Sequence, residues 1–485
     1  MIHGPRRRLG LVALRIAAFV ALIAVVAPPS WGQSGRETDV LVVYNGESPI
    51  SRATAYYYLF SRNLSVEMLL ELTVPLASAT LEDRVDEEIS RANYNTLIRD
   101  PVAARLASLG TEAPTRIVLV LGLPLRIPDD SGSSVLLLES TGASVDAELA
   151  VLGSTMEGSA GIFTSMNPYF GSLQSFDVWR AANPDSPLRY LVTRIAGYPG
   201  SRDQFELPEA IRRLVDRAQL PVDWSGAWVV DEDGTGSQSR ESGDLRLLRP
   251  ATGLLRFLGF PIIHDVTTAV VSDVPSVMAY ASWGSNDSNS PPPPFHGEIE
   301  GRNYPGNFAP RSIATTIVST NARSFVAPPV YGQSLVADLV EMGAAGVAGT
   351  VSEPGAFQVA FPQVLFTHYA IGATAAEAFY SSVPYLGWMN VWIGDPLMRL
   401  MDPDADGDGV ADRIDGCVNT PIGTEVDQYG CSIDQFCSLF DPIVDDENLI
   451  LGCKGADWQG DEPSSREPKD CTVTQVDMVR LCVAK

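Results

Sequence analysis

The sequence predicts an α/β protein with a layered sandwich body, built around a mostly parallel central sheet, and a small loop-rich C-terminal tail. Over residues 38–400, short apolar segments alternate with amphipathic helical stretches, which is typical of α/β layering. All six cysteines lie between Cys417 and Cys482. The formal net charge is -25, and residues 401–485 carry 19 acidic and 6 basic side chains, or -13. Body and tail therefore differ in composition and are treated as separate units.

Apolar runs of strand length, with helical stretches between them, define the body. The predicted strands are Val40–Tyr44, Thr115–Gly122, Leu188–Thr193, Gly226–Val230, Val277–Ala281, Thr315–Val318 and Gly346–Thr350. The predicted helices are Pro49–Asn63, Pro208–Gln219 and Leu335–Met342. This length of chain suits one large domain or two subdomains.

Two segments interrupt the pattern. Residues 129–171 are rich in Ser and Gly, which predicts an irregular insertion. The segment from Ser288 to Asn307 contains four consecutive prolines, Pro291 to Pro294, and is predicted to be an exposed loop.

The N-terminus has the features of a secretory signal peptide spanning residues 1–32. Arg6 to Arg8 form a basic region, Ile16 to Ala27 an apolar run, and the small residues Ser30 and Gly32 flank a cleavage point. We therefore expect a secreted, periplasmic or cell-surface protein with no transmembrane segment after cleavage.

An acidic loop opens the tail. Asp404, Asp406, Asp408, Asp412 and Asp415 occupy positions one, three, five, nine and twelve of a calcium-binding loop. Gly409 at position six permits the turn, and the Val410 carbonyl would supply the oxygen at position seven. An EF-hand has glutamate at position twelve, so this loop is a variant. The alternative interpretation is a solvated acidic loop that binds no cation.

The confined cysteines favour an exported, disulfide-stapled tail. Cys417 and Cys431 flank a short turn-rich stretch and are the first expected pair. The remaining four leave three pairings open, of which 437–453 with 471–482 is favoured. The acidic charge argues against nucleic acid or anionic lipid as a partner and favours divalent cations.

Residues Asp404 to Cys417, followed by the stretch from Thr420 to Cys431, resemble a thrombospondin type-3 calcium repeat. The resemblance assigns a repeat to residues 402–436 and leaves 437–485 as a Cys-rich tail. It implies Ca²⁺ binding by Asp404, Asp406, Asp408, Asp412 and Asp415. Such repeats act as calcium-ordered spacers on secreted and surface proteins.

The body resembles an uncharacterised family of secreted bacterial proteins that co-occurs with the exosortase sorting system. The resemblance rests on the segments 42–46, 122–126, 144–146, 282–287, 349–354 and 394–397. That family has no assigned activity, so the likeness implies a compartment rather than a reaction. The Pro-Glu-Pro sorting tail expected of exosortase substrates is absent from the sequence.

A more distant likeness is to gingipain and caspase-like peptidases, on the order Ser282-Trp-Gly, Ile317-Val-Ser-Thr320, then Ile393-Gly-Asp-Pro396. Those families use a histidine after one strand and a nucleophilic cysteine after the next. Here Ser282-Trp-Gly stands at the histidine place, Ser319 or Thr320 at the cysteine place, and the body has no cysteine. The likeness therefore implies a peptidase scaffold that has lost its dyad.

Two classes of function remain open. A secreted hydrolase would use Ser319 as nucleophile, His296 as base and Asp287 to orient the ring, or a pair of carboxylates. Glu353 and Asp395, which follow strands, are candidates to line one cleft, and Glu353 also pairs with Asp287 in this hypothesis. The alternative interpretation of His296 is an exposed loop histidine without a catalytic role. We favour the other class, a non-catalytic calcium-binding protein of the envelope or extracellular space, with envelope proteins or polysaccharide as partners.

Overall fold

The computed structural model separates into two compact units, a body at Met1–Leu400 and a tail at Met401–Lys485. In the body it describes residues 40–75, 87–128, 142–158, 166–199, 207–236, 238–285, 295–353 and 358–400. In the tail it describes residues 406, 408, 417, 419–421, 424, 426, 430–432, 435, 458–459, 467–468, 471–476 and 479–484. The predicted signal peptide lies outside these ranges. Within them, no helix has the length and apolarity needed to cross a membrane.

A ten-stranded sheet forms the centre of the body. Its strands in chain order are β1 (Val40–Asn45), β2 (Leu69–Leu72), β3 (Arg116–Val120), β6 (Leu191–Ile195), β7 (Ala227–Asp231), β8 (Ile262–Asp265), β9 (Val274–Ser282), β12 (Gly306–Thr316), β13 (Gly346–Thr350) and β14 (Asn390–Gly394). Two small pairs flank it: β4 (Arg126–Ile127) with β5 (Ala143–Ser144), and β10 (Gly297–Ile299) with β11 (Arg302–Tyr304). The α/β class with a mostly parallel sheet is confirmed.

The sheet consists of two halves, each with parallel strands, that run in opposite directions and are joined side by side. Its strand order is β2-β1-β3-β6-β14-β13-β12-β9-β7-β8. Only the central neighbours β13 and β14 are antiparallel, with Val347 opposite Ile393. All the other neighbours are parallel. The carboxyl ends of the two five-stranded halves therefore lie at opposite edges of one sheet.

The central strands are apolar on both faces, as expected for a parallel sheet covered on both sides. Every residue of β1 is buried. Leu41 and Val43 belong to one hydrophobic cluster and Val40 and Val42 to another, because successive side chains of a strand point to opposite faces. The core thus has two layers separated by the sheet.

Helices and short turns connect the strands. The α-helices are α1 (Pro49–Ser61), α2 (Arg91–Tyr94), α3 (Asp100–Leu109), α4 (Val145–Ala150), α5 (Phe176–Ala182), α6 (Glu209–Arg217), α7 (Gln238–Gly243), α8 (Ala251–Phe257), α9 (Val336–Glu341), α10 (Pro362–Ala370) and α11 (Ala375–Ser382). Two π-helical stretches, Asn95–Arg99 and Asp244–Leu248, and two 3-10 turns, Val66–Met68 and Gly110–Glu112, complete them.

Local sequence explains several helix starts. Ser48 caps α1 by accepting a hydrogen bond from the Ser51 backbone N–H, with Pro49 in the first turn. Thr374 and Glu377 form a reciprocal capping box at α11. These caps fix where two of the covering helices begin.

Two segments are more regular than their composition suggested. Within residues 129–171, α4 is a fully buried helix capped by Ser144, because its Asp146 pairs with Arg194 of β6. Within residues 288–307, β10 and β11 form a hairpin. Its two loop residues, Glu300 and Gly301, both have positive φ, the turn geometry that suits two-residue hairpins. Tertiary contacts and turn geometry, rather than apolar periodicity, create these elements.

The tail contains the expected disulfide between Cys417 and Cys431. Two antiparallel pairs follow, β15 (Trp458–Gln459) with β16 (Glu467–Pro468) and β17 (Cys471–Val476) with β18 (Val479–Ala484). In the second pair, Cys482 lies opposite Val473 and Cys471 opposite Ala484. This places Cys471 and Cys482 on one hairpin. Cys437 and Cys453 lie outside the described residues.

Candidate functional site

The acidic loop is described at Asp406 and Asp408, whereas Asp404, Val410, Asp412 and Asp415 lie outside the described residues. One oxygen of Asp406, Oδ2, accepts a hydrogen bond from the Thr420 backbone N–H at 2.6 Å. The other oxygen, Oδ1, is buried and has no hydrogen-bond partner among the described residues. Among the described residues no three His, Cys, Asp or Glu side chains form a metal-sized group. Asp406 is thus oriented by the chain through Oδ2.

Thr420 connects Asp406 to the disulfide. Its hydroxyl oxygen lies 2.8 Å from the carbonyl oxygen of Cys417 and 2.7 Å from that of Gly430, the residue before Cys431. Gln435 Oε1 lies 2.7 Å from the same hydroxyl. The hydroxyl has one proton to donate among these three acceptor oxygens, so Thr420 links the disulfide-closed segment through a single hydrogen bond at a time, while its backbone N–H positions the Asp406 carboxylate.

The proposed base His296 is buried rather than exposed, with 2% of its surface accessible. Its ring stands edge-on to Tyr280, with centroids 5.8 Å apart. Burial lowers the pKa of His296 to about 3, so the imidazole is neutral near pH 7. Within the described ranges, neither ring nitrogen has a hydrogen-bond partner.

The proposed nucleophile Ser319 lies three residues past the end of β12 and is half-buried. Its carbonyl oxygen accepts a hydrogen bond from Thr350 Oγ1 at 2.8 Å. Because the His296 nitrogens make no hydrogen bond to a described residue, the structure does not join His296 to Ser319. Asp287 lies outside the described residues, and the catalytic role of these three residues stays a prediction.

Glu353 and Asp395 do not share a cleft. They follow β13 and β14, which are antiparallel, so the two residues leave the sheet at opposite edges. Glu353 is exposed. Asp395 is fully buried and pairs with Arg62 at 2.5 Å, while Tyr58 donates to it at 2.9 Å. The hypothesis of one cleft is therefore wrong, and Asp395 stabilises the fold.

The other two described histidines have structural partners. His368 Nδ1 lies 2.6 Å from Ser381 Oγ inside the core. His264 Nε2 lies 2.6 Å from Glu232 Oε1, next to Arg249, which pairs with the same carboxylate at 2.5 Å. Both contacts account for these side chains without a catalytic role.

A cavity of about 170 Å³ lies at the carboxyl ends of β7 and β9. Asp231, the last residue of β7, and Ser282, the last residue of β9, are opposite each other in the sheet and both line it. Trp283, Ser285 and Phe295 form other parts of its wall. Sequence reasoning missed Asp231, although the acidic run Asp231 to Asp233 directly after a predicted strand was a usable signal.

Comparison with known proteins assigns no family. No family model and no solved structure matches the chain. A curated protein described as an Alpha-agarase, from Thalassotalea agarivorans, is 44% identical over 59 residues. The match covers 11% of this chain and 4% of that protein. The chain thus spans a very small part of that relative, and the overlap assigns neither its family nor its activity.

Proposed function

We propose that the protein is an exported calcium-binding protein of the cell envelope or extracellular space, whose body serves as a binding scaffold rather than a catalyst. The single observation that supports this most strongly is Asp406. Its carboxylate is held by the Thr420 backbone N–H at one oxygen, and its second oxygen is buried with no partner in the described part of the chain. A buried carboxylate oxygen without a partner is unfavourable, and a hard cation is the ligand that removes that cost.

The residues fit calcium. Asp404, Asp406, Asp408, Asp412 and Asp415 would hold the ion together with the Val410 carbonyl, as their spacing predicts. Ca²⁺ would neutralise the repulsion among five carboxylates that are close in sequence and so order the loop. The disulfide between Cys417 and Cys431 limits the conformations of the segment that follows.

Three observations support export and a non-catalytic body. The only cysteines lie in the tail, where a disulfide is formed, as is common in oxidising compartments. The body has no cysteine for thiol chemistry. Among the described residues, neither ring nitrogen of His296 hydrogen-bonds to Ser319, the contact that a serine nucleophile with a histidine base would use.

Calcium titration tests the proposal. Calorimetry on the full-length mature chain, stripped with chelator, is expected to show saturable Ca²⁺ binding that Asp406→Ala weakens at least tenfold. In 1 mM Ca²⁺ the variant's tail should also melt at a lower temperature. The matched control is Glu298→Gln, which removes an exposed carboxylate of the body hairpin and should leave the titration unchanged. An unchanged titration for Asp406→Ala, with the disulfide intact, would overturn the assignment.

A further inference from the structure

The cavity at the carboxyl ends of β7 and β9 takes no part in the calcium proposal. Its position is where open α/β sheets place ligands, outside the carboxyl ends of parallel strands. At about 170 Å³ it is smaller than pockets for drug-sized molecules, which are on the order of 300 Å³ or more. The volume of the cavity suits a small molecule or a single side chain.

Asp231 provides the polar wall. The residue is only 5% exposed yet lines the cavity. In the described part of the chain its one hydrogen bond is from the Val271 backbone N–H to Oδ2, at 3.2 Å. The Oδ1 atom therefore has no protein donor there. The neighbouring Glu232 shows the contrast, because Arg249 pairs with its carboxylate at 2.5 Å and His264 Nε2 lies 2.6 Å from it.

The local field at Asp231 is negative. Burial, together with the carboxylates of Asp265 and Asp244, raises the pKa of Asp231 to about 7. Asp244 is held in place by the Trp283 indole N–H, which donates to it at 2.5 Å. No lysine or arginine is among the described residues that line the cavity. A positive charge placed there would relieve the repulsion.

The remaining walls are apolar. Trp283, Phe295, Ala269 and Val270 contribute ring and aliphatic surface beside the carboxylate. Bare metal ions prefer several oxygen ligands, and no group of three metal ligands occurs in the described residues. A carboxylate next to aromatic and aliphatic surface instead matches an organic cation with a hydrocarbon stem, through charge pairing and cation–π attraction.

We propose that this cavity binds a protonated amine on a short apolar stem, with Asp231 pairing with the ammonium and Trp283 and Phe295 contacting the methylenes. A free alkylamine and the lysyl side chain of a peptide present the same chemistry. None of the residues in this proposal belongs to the calcium loop. Binding of either ligand, the free alkylamine or the lysyl side chain, involves no catalytic step.

Binding is measured by calorimetry on the full chain in chelator at pH 8. The probes are n-pentylamine for the free amine, N-acetyl-lysine amide for the side chain, and N-acetyl-norleucine amide as the uncharged match. At least one amine is expected to bind saturably, and the norleucine compound is not. Tight binding of pentylamine alone identifies a free amine as the ligand. Binding of both amines shows that the cavity also accepts the lysyl side chain of a peptide. Absence of saturable binding by either, or equal binding of norleucine amide, would overturn the proposal.

Variants test the wall residues. Asp231→Asn is expected to weaken amine binding at least tenfold, and Asp223→Asn, four residues before the start of β7, is expected to leave it unchanged. Phe295→Ala, which shortens the apolar wall, should weaken the binding of pentylamine. This variant provides a second test of the site if Asp231→Asn does not fold. Wild-type binding should also fall at least tenfold from pH 8 to pH 5.5 as Asp231 takes up a proton. Wild-type affinity in a folded Asp231→Asn, or in Phe295→Ala if that variant alone folds, would contradict the site.

Discussion

The body and the tail treat buried carboxylates differently. In the body, several buried acids are paired with arginines from distant elements: Asp146 with Arg194 at 2.6 Å, Asp395 with Arg62 at 2.5 Å, and Glu377 with Arg116 at 3.6 Å. In the described part of the tail, Asp406 has a backbone N–H and no cationic partner. Removing the arginine of a buried pair leaves an uncompensated charge, so these pairs are costly to break.

Among the described residues of the body, Asp231 has no such pair, and neither do the buried Asp244, which accepts from Trp283, and Asp338, which accepts from Tyr198 and Tyr331. Asp231 ends a parallel strand, as Asp395 follows one, but no arginine is paired with Asp231 in the described residues. The comparison therefore separates two kinds of acid that look alike in sequence. Breaking the pairs, or filling the unpaired sites, tests this distinction.

The largest effect is expected from breaking a matched pair. Arg194→Met leaves Asp146, 1% exposed, without its cation and removes hydrogen bonds to the carbonyls of Leu123 and Pro124, each at 2.9 Å. The free energy of unfolding of the body in urea should fall by about 3–5 kcal/mol. The control is Arg212→Met, which breaks exposed pairs with Glu209 and Asp216 and should change stability little. Equal losses in both variants would contradict the role of burial.

Asp231 should give the body a pH-dependent stability. Its folded pKa of about 7 lies above the ordinary value of 3.8, because burial and the facing carboxylates of Asp265 and Asp244 disfavour the charged form. The folded state therefore holds the proton more tightly. Its contribution is fully present below about pH 4 and is lost as pH rises through about 7.

Replacing Asp231 should remove that dependence. The difference in unfolding free energy between wild type and Asp231→Asn should change by at most about 4 kcal/mol between pH 4 and pH 8. Urea unfolding at a series of pH values measures it, with Asp223→Asn as the control. Parallel curves for wild type and Asp231→Asn would show that Asp231 titrates normally.

The smallest effect is expected at the support of the tail carboxylate. Thr420→Val keeps the side-chain shape and the backbone N–H to Asp406 but removes the hydroxyl near Cys417 and Gly430. Loss of one buried hydrogen bond, about 1 kcal/mol, should weaken Ca²⁺ binding severalfold. Thr424→Val is the matched control, since the described hydrogen bond of Thr424 is through its backbone N–H. Calcium affinity unaffected by Thr420→Val would mean that the hydroxyl does not position the loop.

Sequence predicted the parts of the molecule whose signals are local. Apolar runs marked β1, β7 and β13 to within a residue, and the helices α1, α6 and α9 to within two. Cysteine spacing identified the bond between Cys417 and Cys431. In each case the residues that interact, or that repeat, are close together in the chain.

Features assembled from distant segments were missed. The antiparallel join of β13 and β14 separates Glu353 from Asp395, and no local pattern shows strand direction. Asp395 is paired because Arg62, which is 333 positions earlier in the chain, contacts it. Asp231 differs only in lacking such a partner in the described chain, so its availability depends on tertiary structure. His296 is buried because it contacts Tyr280, sixteen positions earlier.

The most direct measurement of the central claim is a crystal structure of the full-length chain grown with calcium. We predict an ion within about 2.3–2.6 Å of Asp406 Oδ1, coordinated by oxygens of the Asp404 to Asp415 loop. A calcium-soaked structure in which Asp406 Oδ1 is hydrogen-bonded to a protein donor, with no ion in that loop, would contradict it.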